Sequence, residues 1–438
     1  MNRLVALLLA VPALAHAQPA ADETPPPAPA PAAEAAPAAD PAPAVAPEPV
    51  PVAAPAAPAA ESASDADLAA LGLDPNAAAF DDKLNIYGFA DMTYQLTHFR
   101  REILGAPSSY GFAAGNLNLY LSKNLAEHWR TLAEVRFLYL PNGGDDGAGH
   151  TTLTTINDPT NFDRPLTWGG IAIQRAYIEY EVNQYLTIRA GRFLTPYGIW
   201  NTDHGSPVII APYRPYIIGE QHFPEQQTGI ELYGKKLIGE YEVGYHATIS
   251  NGRSPVDSVA DPDGKPAFGG RLEFEAPWAG TLKLGASGYM GRYTGVVDTG
   301  VTPPSYMEQS YGVDAQWDHG GLRVQAELIG NDHHYSDGAR ATSAKGFIPD
   351  GRQWGGYALA GYRFDHHWNA MPFAIAEYIK PIDNTLYDQI SGYSGGINLR
   401  PNANVVLKLM YTYAMSRGTG LLGNTNIDVF TSQIAWVF

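Results

Sequence analysis

From residue 84 onward, apolar and polar side chains alternate with a period of two through one segment after another. Along 84–96, Leu84, Ile86, Ala90, Met92 and Leu96 share one face, and Asn85, Asp91, Thr93 and Gln95 share the other. Leu117, Leu119 and Leu121 alternate with Asn116, Asn118 and Ser122. Leu322, Val324, Ala326 and Leu328 alternate with Arg323, Gln325 and Glu327, and Val405, Leu407, Leu409 and Tyr411 with Asn404, Lys408 and Thr412. That period belongs to β-strands with one apolar and one polar face. It predicts sixteen strands, at 84–98, 114–123, 129–140, 171–181, 185–194, 226–234, 237–250, 269–276, 280–292, 309–318, 321–333, 354–365, 369–380, 390–400, 404–416 and 426–438.

The connections between these segments are short and long in turn. Short ones fall near Asn124–His128, Val182–Gln184, Gly234–Leu237, Pro277–Gly280, Asp318–Gly320, Asp365–Trp368 and Pro401–Ala403. Long ones fall near 99–113, 141–170, 195–225, 251–268, 293–308, 334–353, 381–389 and 417–425. An antiparallel outer-membrane barrel has this rhythm, with short turns at its periplasmic end and long loops at the other. The expected fold class is therefore all-β, an antiparallel transmembrane β-barrel of about sixteen strands over 84–438, with both ends of the barrel on the periplasmic side. The last strand carries Phe430, Ile434, Trp436 and Phe438 on one face. A closing aromatic such as Phe438 resembles the signal through which bacterial outer-membrane barrels engage their assembly machinery. A secreted β-sandwich would share the alternation, burying its apolar faces in a core, but it does not account for the loop rhythm.

Composition places this barrel in the envelope. Residues 1–17 read as a secretory signal peptide: Arg3 supplies the basic start, Leu4–Ala15 the apolar stretch and Ala15-His16-Ala17 the cleavage site. The chain has no Cys, which excludes disulfides, thiol chemistry and a lipoprotein anchor. No later segment offers the run of about twenty apolar residues that a spanning helix needs. Residues 18–60 hold 14 Pro and 19 Ala among 43 positions. They begin an Ala/Pro-rich periplasmic tract, 18–63, that cannot form a core and is expected to be disordered and extended. At 64–83, SDADLAALGL opens a short helical or irregular segment. One function for the tract is a tether to peptidoglycan. The 26 Tyr and 45 Gly suit a barrel with aromatic girdles and curved strands.

The chain carries 28 basic and 45 acidic residues, a formal charge of −17. Over 84–438 the balance is 34 acids to 26 bases. Such a protein is a poor nucleic-acid binder. A charge on the lipid face of a barrel costs ~2–4 kcal/mol at midplane, so strand charges are expected to point into the lumen. The basic pore-lining candidates are Arg136, Arg175, Arg189, Arg271, Lys283, Arg323 and Lys408. The acidic ones are Asp91, Glu134, Glu179, Glu231, Glu273 and Glu327. Opposed rows of charge sort solutes by charge and dipole; wall salt bridges are the plainer use of the same residues.

The connection 195–225 is long, lacks a helix pattern and holds Tyr197, Trp200, Tyr213, Tyr216, Phe223 and five prolines. Structureless connections of this length are functional or disordered, and its aromatics favour the former. Just before it, residues 174–201 read QRAYIEYEVNQYLTIRAGRFLTPYGIWN. Here Gly191, Arg192, Phe193, Thr195, Pro196, Tyr197 and Gly198 resemble the run that follows a strand–turn–strand unit in the phosphate-selective porin O and P family. The resemblance implies a sixteen-stranded trimeric channel seated in outer-membrane lipid and lipopolysaccharide. Family members that take phosphate carry a dense inward ladder of Arg with loop lysines, whereas 195–225 has Arg214 and no Lys. In general porins the corresponding loop folds into the lumen as a constriction. The residues to watch are then Tyr197, Trp200, Asp203, His204, Tyr213, Arg214, Tyr216, Glu220 and His222; a loop that caps the barrel is the alternative.

No nucleophile–base motif, metal motif or cofactor motif stands out. Asp203-His204, Asp332-His333-His334 and His366-His367 are the only hints of hydrolase chemistry, and neighbouring strand side chains point to opposite faces. Acidic turns such as Asp145-Asp146 and Asp261–Asp263 would suit Ca²⁺, though Asp and Gly in such clusters usually mark turns. The sequence therefore points to a passive diffusion channel for small hydrophilic solutes or ions, not an enzyme, with a wall-tethered structural barrel and a barrel hydrolase as alternatives.

Overall fold

The computed structural model describes residues 83–100, 109–138, 170–202, 205–219, 222–253, 264–294, 305–335, 350–381, 388–418 and 423–438. The signal peptide, the Ala/Pro tract and the helix expected at 64–73 lie outside these residues, as do Asp203, His204, Glu220 and the acidic turns Asp145-Asp146 and Asp261–Asp263.

The strands are β1 (Asn85–Phe99), β2 (Ser109–Ala126), β3 (Trp129–Leu138), β4 (Gly170–Asn183), β5 (Leu186–Leu194) and β6 (Gln226–Ile238). Then come β7 (Tyr241–Ser250), β8 (Ala267–Ala276), β9 (Thr281–Thr294), β10 (Ser305–His319) and β11 (Leu322–Tyr335). The set ends with β12 (Gly351–Tyr362), β13 (Met371–Lys380), β14 (Gln389–Asn402), β15 (Val405–Arg417) and β16 (Thr425–Val437). Each pairs antiparallel with its neighbours in chain order, and β16 closes on β1 through the register Met92↔Ile434 and Leu96↔Phe430. Beyond β16, Phe438 still exchanges backbone bonds with Gly88, at 2.8 and 3.0 Å. Closure leaves no strand edge unpaired, which is the condition for a sheet in lipid.

Register explains the alternation. Ile86, Met92 and Leu96 face outward and are exposed, while Asp91, Thr93, Gln95 and Thr97 of the same strand face inward and are buried. The terminal Phe430, Ile434, Trp436 and Phe438 all lie on the outer face. Some boundaries differ from the pattern: β2 begins at Ser109 and β10 at Ser305, five and four residues before the expected 114 and 309. The β6–β7 turn does not fall at Gly234–Leu237; pairing continues through Lys235↔Gly244 and Leu237↔Glu242, and the chain turns at Gly239, whose φ is 69°. Gly234 is small for another reason: a Cβ there would meet the Tyr185 carbonyl.

The apolar core lies inside the ring. Leu359 of β12, Phe373, Ile375 and Ile379 of β13, Ile390 of β14, Met410 of β15 and Ile427 of β16 point inward and are buried with Trp200, Ile209, Ile210, Ile217 and Phe223. On β12 and β13 the middle outward positions are instead small, namely Ala358, Ala360, Ala374 and Ala376. These strands are apolar on both faces because both are covered, one by lipid and one by protein.

Candidate functional site: the inserted segment and the charged lumen

After Leu194 the chain leaves the wall and turns inward. Its neck is closed by Thr195 N–H to the Glu225 carbonyl at 3.0 Å, and by Asn201, whose amide donates to the Thr195 and Glu225 carbonyls at 2.5 and 3.1 Å. From there the segment is bonded to strand after strand. Tyr197 hydroxyl meets Thr248 of β7 at 2.7 Å. Trp200 N–H donates to Glu327 of β11 at 3.2 Å, and its ring stands edge-on to Tyr357 of β12. Ser206 donates to Asp91 of β1. Lys408 of β15 donates to the carbonyls of Ser206 and Ala211 at 2.6 and 3.1 Å. Asn398 and Arg400 of β14 reach the carbonyls of Ile210 and Pro207. Tyr213 donates to Gln95 at 2.5 Å. Helix α1 (Tyr216–Gly219) starts with Tyr216 N–H on Glu377 of β13 at 2.6 Å. Ser310 of β10 and Asn331 of β11 both donate to the His222 carbonyl. A segment that touches β1, β7 and β10–β15 in turn runs across the interior of the ring. Burial pushes the Tyr197 and Tyr213 hydroxyls up to about 12, so both remain neutral.

Gly198 is where this path turns most tightly. Its φ is 74°, and a Cβ there would fall on a Glu327 carboxylate oxygen. The residue type is set by backbone conformation and by the approach of a buried acid.

The pore-lining candidates separate into two groups. Asp91, Glu327 and Lys408 are spent on holding the segment, as described above. Arg175, Arg189, Arg271, Lys283, Glu179 and Glu273 line an open cavity of about 270 Å³ on the other side of the lumen. Its wall runs from β2 to β10, and Leu194, Pro196, Gly198, Ile199 and Thr202 form its opposite face. Of the constriction candidates, Tyr197 and Trp200 are buried against the wall, Arg214 pairs with Glu225 at 2.8 Å, and Tyr213 and Tyr216 pack on the apolar core. The segment's cavity face is made by smaller neighbours that aromatic content did not single out.

The charged wall holds two bonded groups, one around Glu134 and one running from Arg130 to Asp314. Glu134, fully buried, accepts from Asn118, Tyr120 and Arg175 at 2.6, 3.0 and 2.7 Å. Arg130 and Arg189 share Glu179 at 3.1 and 2.6 Å. Arg189 also holds Glu231 at 2.6 Å, with its guanidinium between the rings of Tyr177 and Tyr233 at 4.4 and 4.7 Å. His246 Nδ1 lies 2.8 Å from Glu231, and its Nε2 faces Glu273 at 3.8 Å. Arg271 joins Glu273 at 2.6 Å to Asp314 at 2.5 Å. Arg136 stands beside this belt, buried, with its Nε 3.4 Å from the Asn118 amide oxygen. Arg323 pairs with Asp318 at 2.7 Å, below the segment. Several strand charges break the inward rule, among them Asp428 of β16 and the Asp332–Arg352 pair of β11 and β12. Arg192 shares the outer face with Ala190 and Ile230, where its Nε donates to the Ile173 carbonyl at 2.9 Å.

The histidines do not assemble. His333 packs on Tyr306, His334 sits at an exposed position 3.3 Å from Asp350, and His366 and His367 lie in the β12–β13 turn. Among the described residues no group of three or more His, Asp or Glu is placed to hold a metal ion.

Sequence reasoning missed the apolar half of the lumen. The signal was present in Met371–Lys380, whose Phe373, Ile375 and Ile379 are large apolar residues on the face that elsewhere carries Asp, Glu, Arg and Lys.

No family model matches the chain. An uncharacterized protein of Aquifex aeolicus (strain VF5) is 28% identical over 139 residues, covering 28% of this chain and 30% of that protein. The match thus spans less than a third of that relative's length. Among solved structures, the anion-selective porin of Comamonas acidovorans aligns at TM-score 0.50 and 12% identity, over 81% of this chain and 99% of that one. OmpF of Salmonella typhi, solved with daunomycin, aligns at TM-score 0.50 and 13% identity, over 82% and 98%. OmpT of Vibrio cholerae gives TM-score 0.50 and 9% identity, over 82% and 99%. The chain has the fold of an outer-membrane porin. Identity this low carries the fold and nothing finer, and the phosphate-selective porin O and P family is not confirmed for this chain.

Proposed function

We propose that this porin-fold barrel is a passive diffusion channel of the bacterial outer membrane, that it takes small hydrophilic solutes, and that segment 195–225 is its constriction. One observation carries the reading: the segment divides the interior into an apolar half packed shut and a half that keeps an open, charge-lined cavity. Solutes pass between the β2–β10 wall and the segment face built from Pro196, Gly198, Ile199 and Thr202. Size exclusion comes from the segment, which so many hydrogen bonds hold in place. No chemistry is performed, and no cofactor is called for. The resemblance at residues 174–201 makes a homotrimer the natural assembly for this chain.

Osmotic swelling of proteoliposomes with sugars of increasing size tests this. The wild-type chain is expected to admit small sugars and reject larger ones. Ile199→Trp, which adds bulk on the cavity face, is expected to lower the size limit without unfolding the barrel. Equal swelling by both proteins at every sugar size would overturn the assignment of that face to the constriction.

A further inference from the structure

The charges along the open half of the lumen are matched in a regular way. Three hairpins carry an inward ion pair just above their short turns: Lys235–Glu242 on β6–β7 at 3.2 Å, Glu275–Lys283 on β8–β9 at 3.2 Å, and Asp318–Arg323 on β10–β11 at 2.7 Å. Within each pair the two side chains are almost equally exposed, at 32 and 27%, 40 and 43%, and 28 and 28%. Above them the belt from Arg130 to Asp314 also alternates in sign, each charge sharing its neighbour's partner. Adjacent strands lie about 4.8 Å apart, so fixed positive and negative centres recur at that interval around the wall.

Such a wall has little monopole to offer a net ion, because among the described residues most charges that line the cavity, Lys123 apart, have a counter-charge beside them. It does have strong short-range field gradients. A solute that carries both signs can exchange partners with wall pairs as it moves, one end on a carboxylate and the other on an ammonium or guanidinium, while a net ion finds only one of its ends satisfied. Of the acidic excess of the whole chain, residues 18–83 hold eleven acids against one base, and 84–438 keeps 34 acids to 26 bases.

We infer that the channel favours small zwitterions, of which free amino acids are the simplest class, over anions or cations of the same size. This rests on the diffusion-channel reading above. Alanine, lactate and lactamide are close in size and differ in charge, so they separate the two questions. Uptake of each labelled solute into proteoliposomes of the full mature chain is expected to run fastest for alanine and slowest for lactate, and a potassium chloride gradient is expected to give a reversal potential near zero. Glu275→Gln leaves Lys283 unmatched; its uptake ratio of alanine to lactate is expected to fall and its reversal potential to move toward anion preference. Lys283→Gln is expected to move the potential the other way. Both positions are exposed pairs of small worth to stability, so both variants are expected to fold. Lactate faster than alanine, a strongly ion-selective wild type, or variants that leave both readouts unmoved would overturn the zwitterion assignment while leaving the channel intact. No uptake of any of the three by folded barrel would overturn the channel reading itself.

Discussion

Glu327 is the residue on which the inserted segment turns. Its carboxylate accepts the Trp200 amide at 3.2 Å and the Tyr357 hydroxyl at 2.7 Å, and it lies against the Cα of Gly198. Removing it strands two buried donors, each worth about 1–3 kcal/mol. Glu327→Ala is therefore expected to lower the thermal unfolding temperature and to make the channel current noisy, whereas Glu327→Gln keeps an acceptor oxygen for both donors and is expected to restore quiet current. Equal noise in the two variants would remove Glu327 as the latch. Parity puts Glu327 on the inward face, yet it gives no means of telling a charge that meets water from one that meets the segment. Period-2 alternation reports which side of the wall a residue faces, and the partner on that side depends on a connection with no period of its own.

At the scale of the element, β13 shows where the pattern runs out. A strand between lipid and water alternates apolar with polar, and most strands here do so legibly. Phe373, Ile375 and Ile379 instead meet Trp200, Ile217 and their neighbours inside the ring. Ile375→Ala is expected to cost about 2–5 kcal/mol, the range for a cavity in a packed core, read as a drop in unfolding temperature or denaturant midpoint. Ile230→Arg on the outer face of β6 is expected to cost about 2–4 kcal/mol when the barrel is in lipid. A tolerated Ile375→Ala would mean the segment is not packed on this wall. The strand count, the order of short and long connections and the closing aromatic face were all readable, because each depends on local period and turn chemistry. Residues such as Ile209, Ile210 and Ile217 were not readable as core, because they sit in an irregular stretch where neither helical nor strand spacing marks a buried face.

For the whole molecule, the fold sets two devices against each other across the lumen. One is the segment from β5 to β6, which fills the lumen along β10–β16. The other is the ion-pair belt from β3 to β10, which lines what is left. Closing the ring makes them face each other, and the proposed channel is the gap between them. The measurement that addresses this most directly is single-channel conductance of the full mature chain in a planar bilayer. Large, steady current steps are predicted for the wild type, with step size reduced in Ile199→Trp. Folded barrel that inserts and passes no current would contradict the account, because it would mean the segment closes the lumen on the charged side as well.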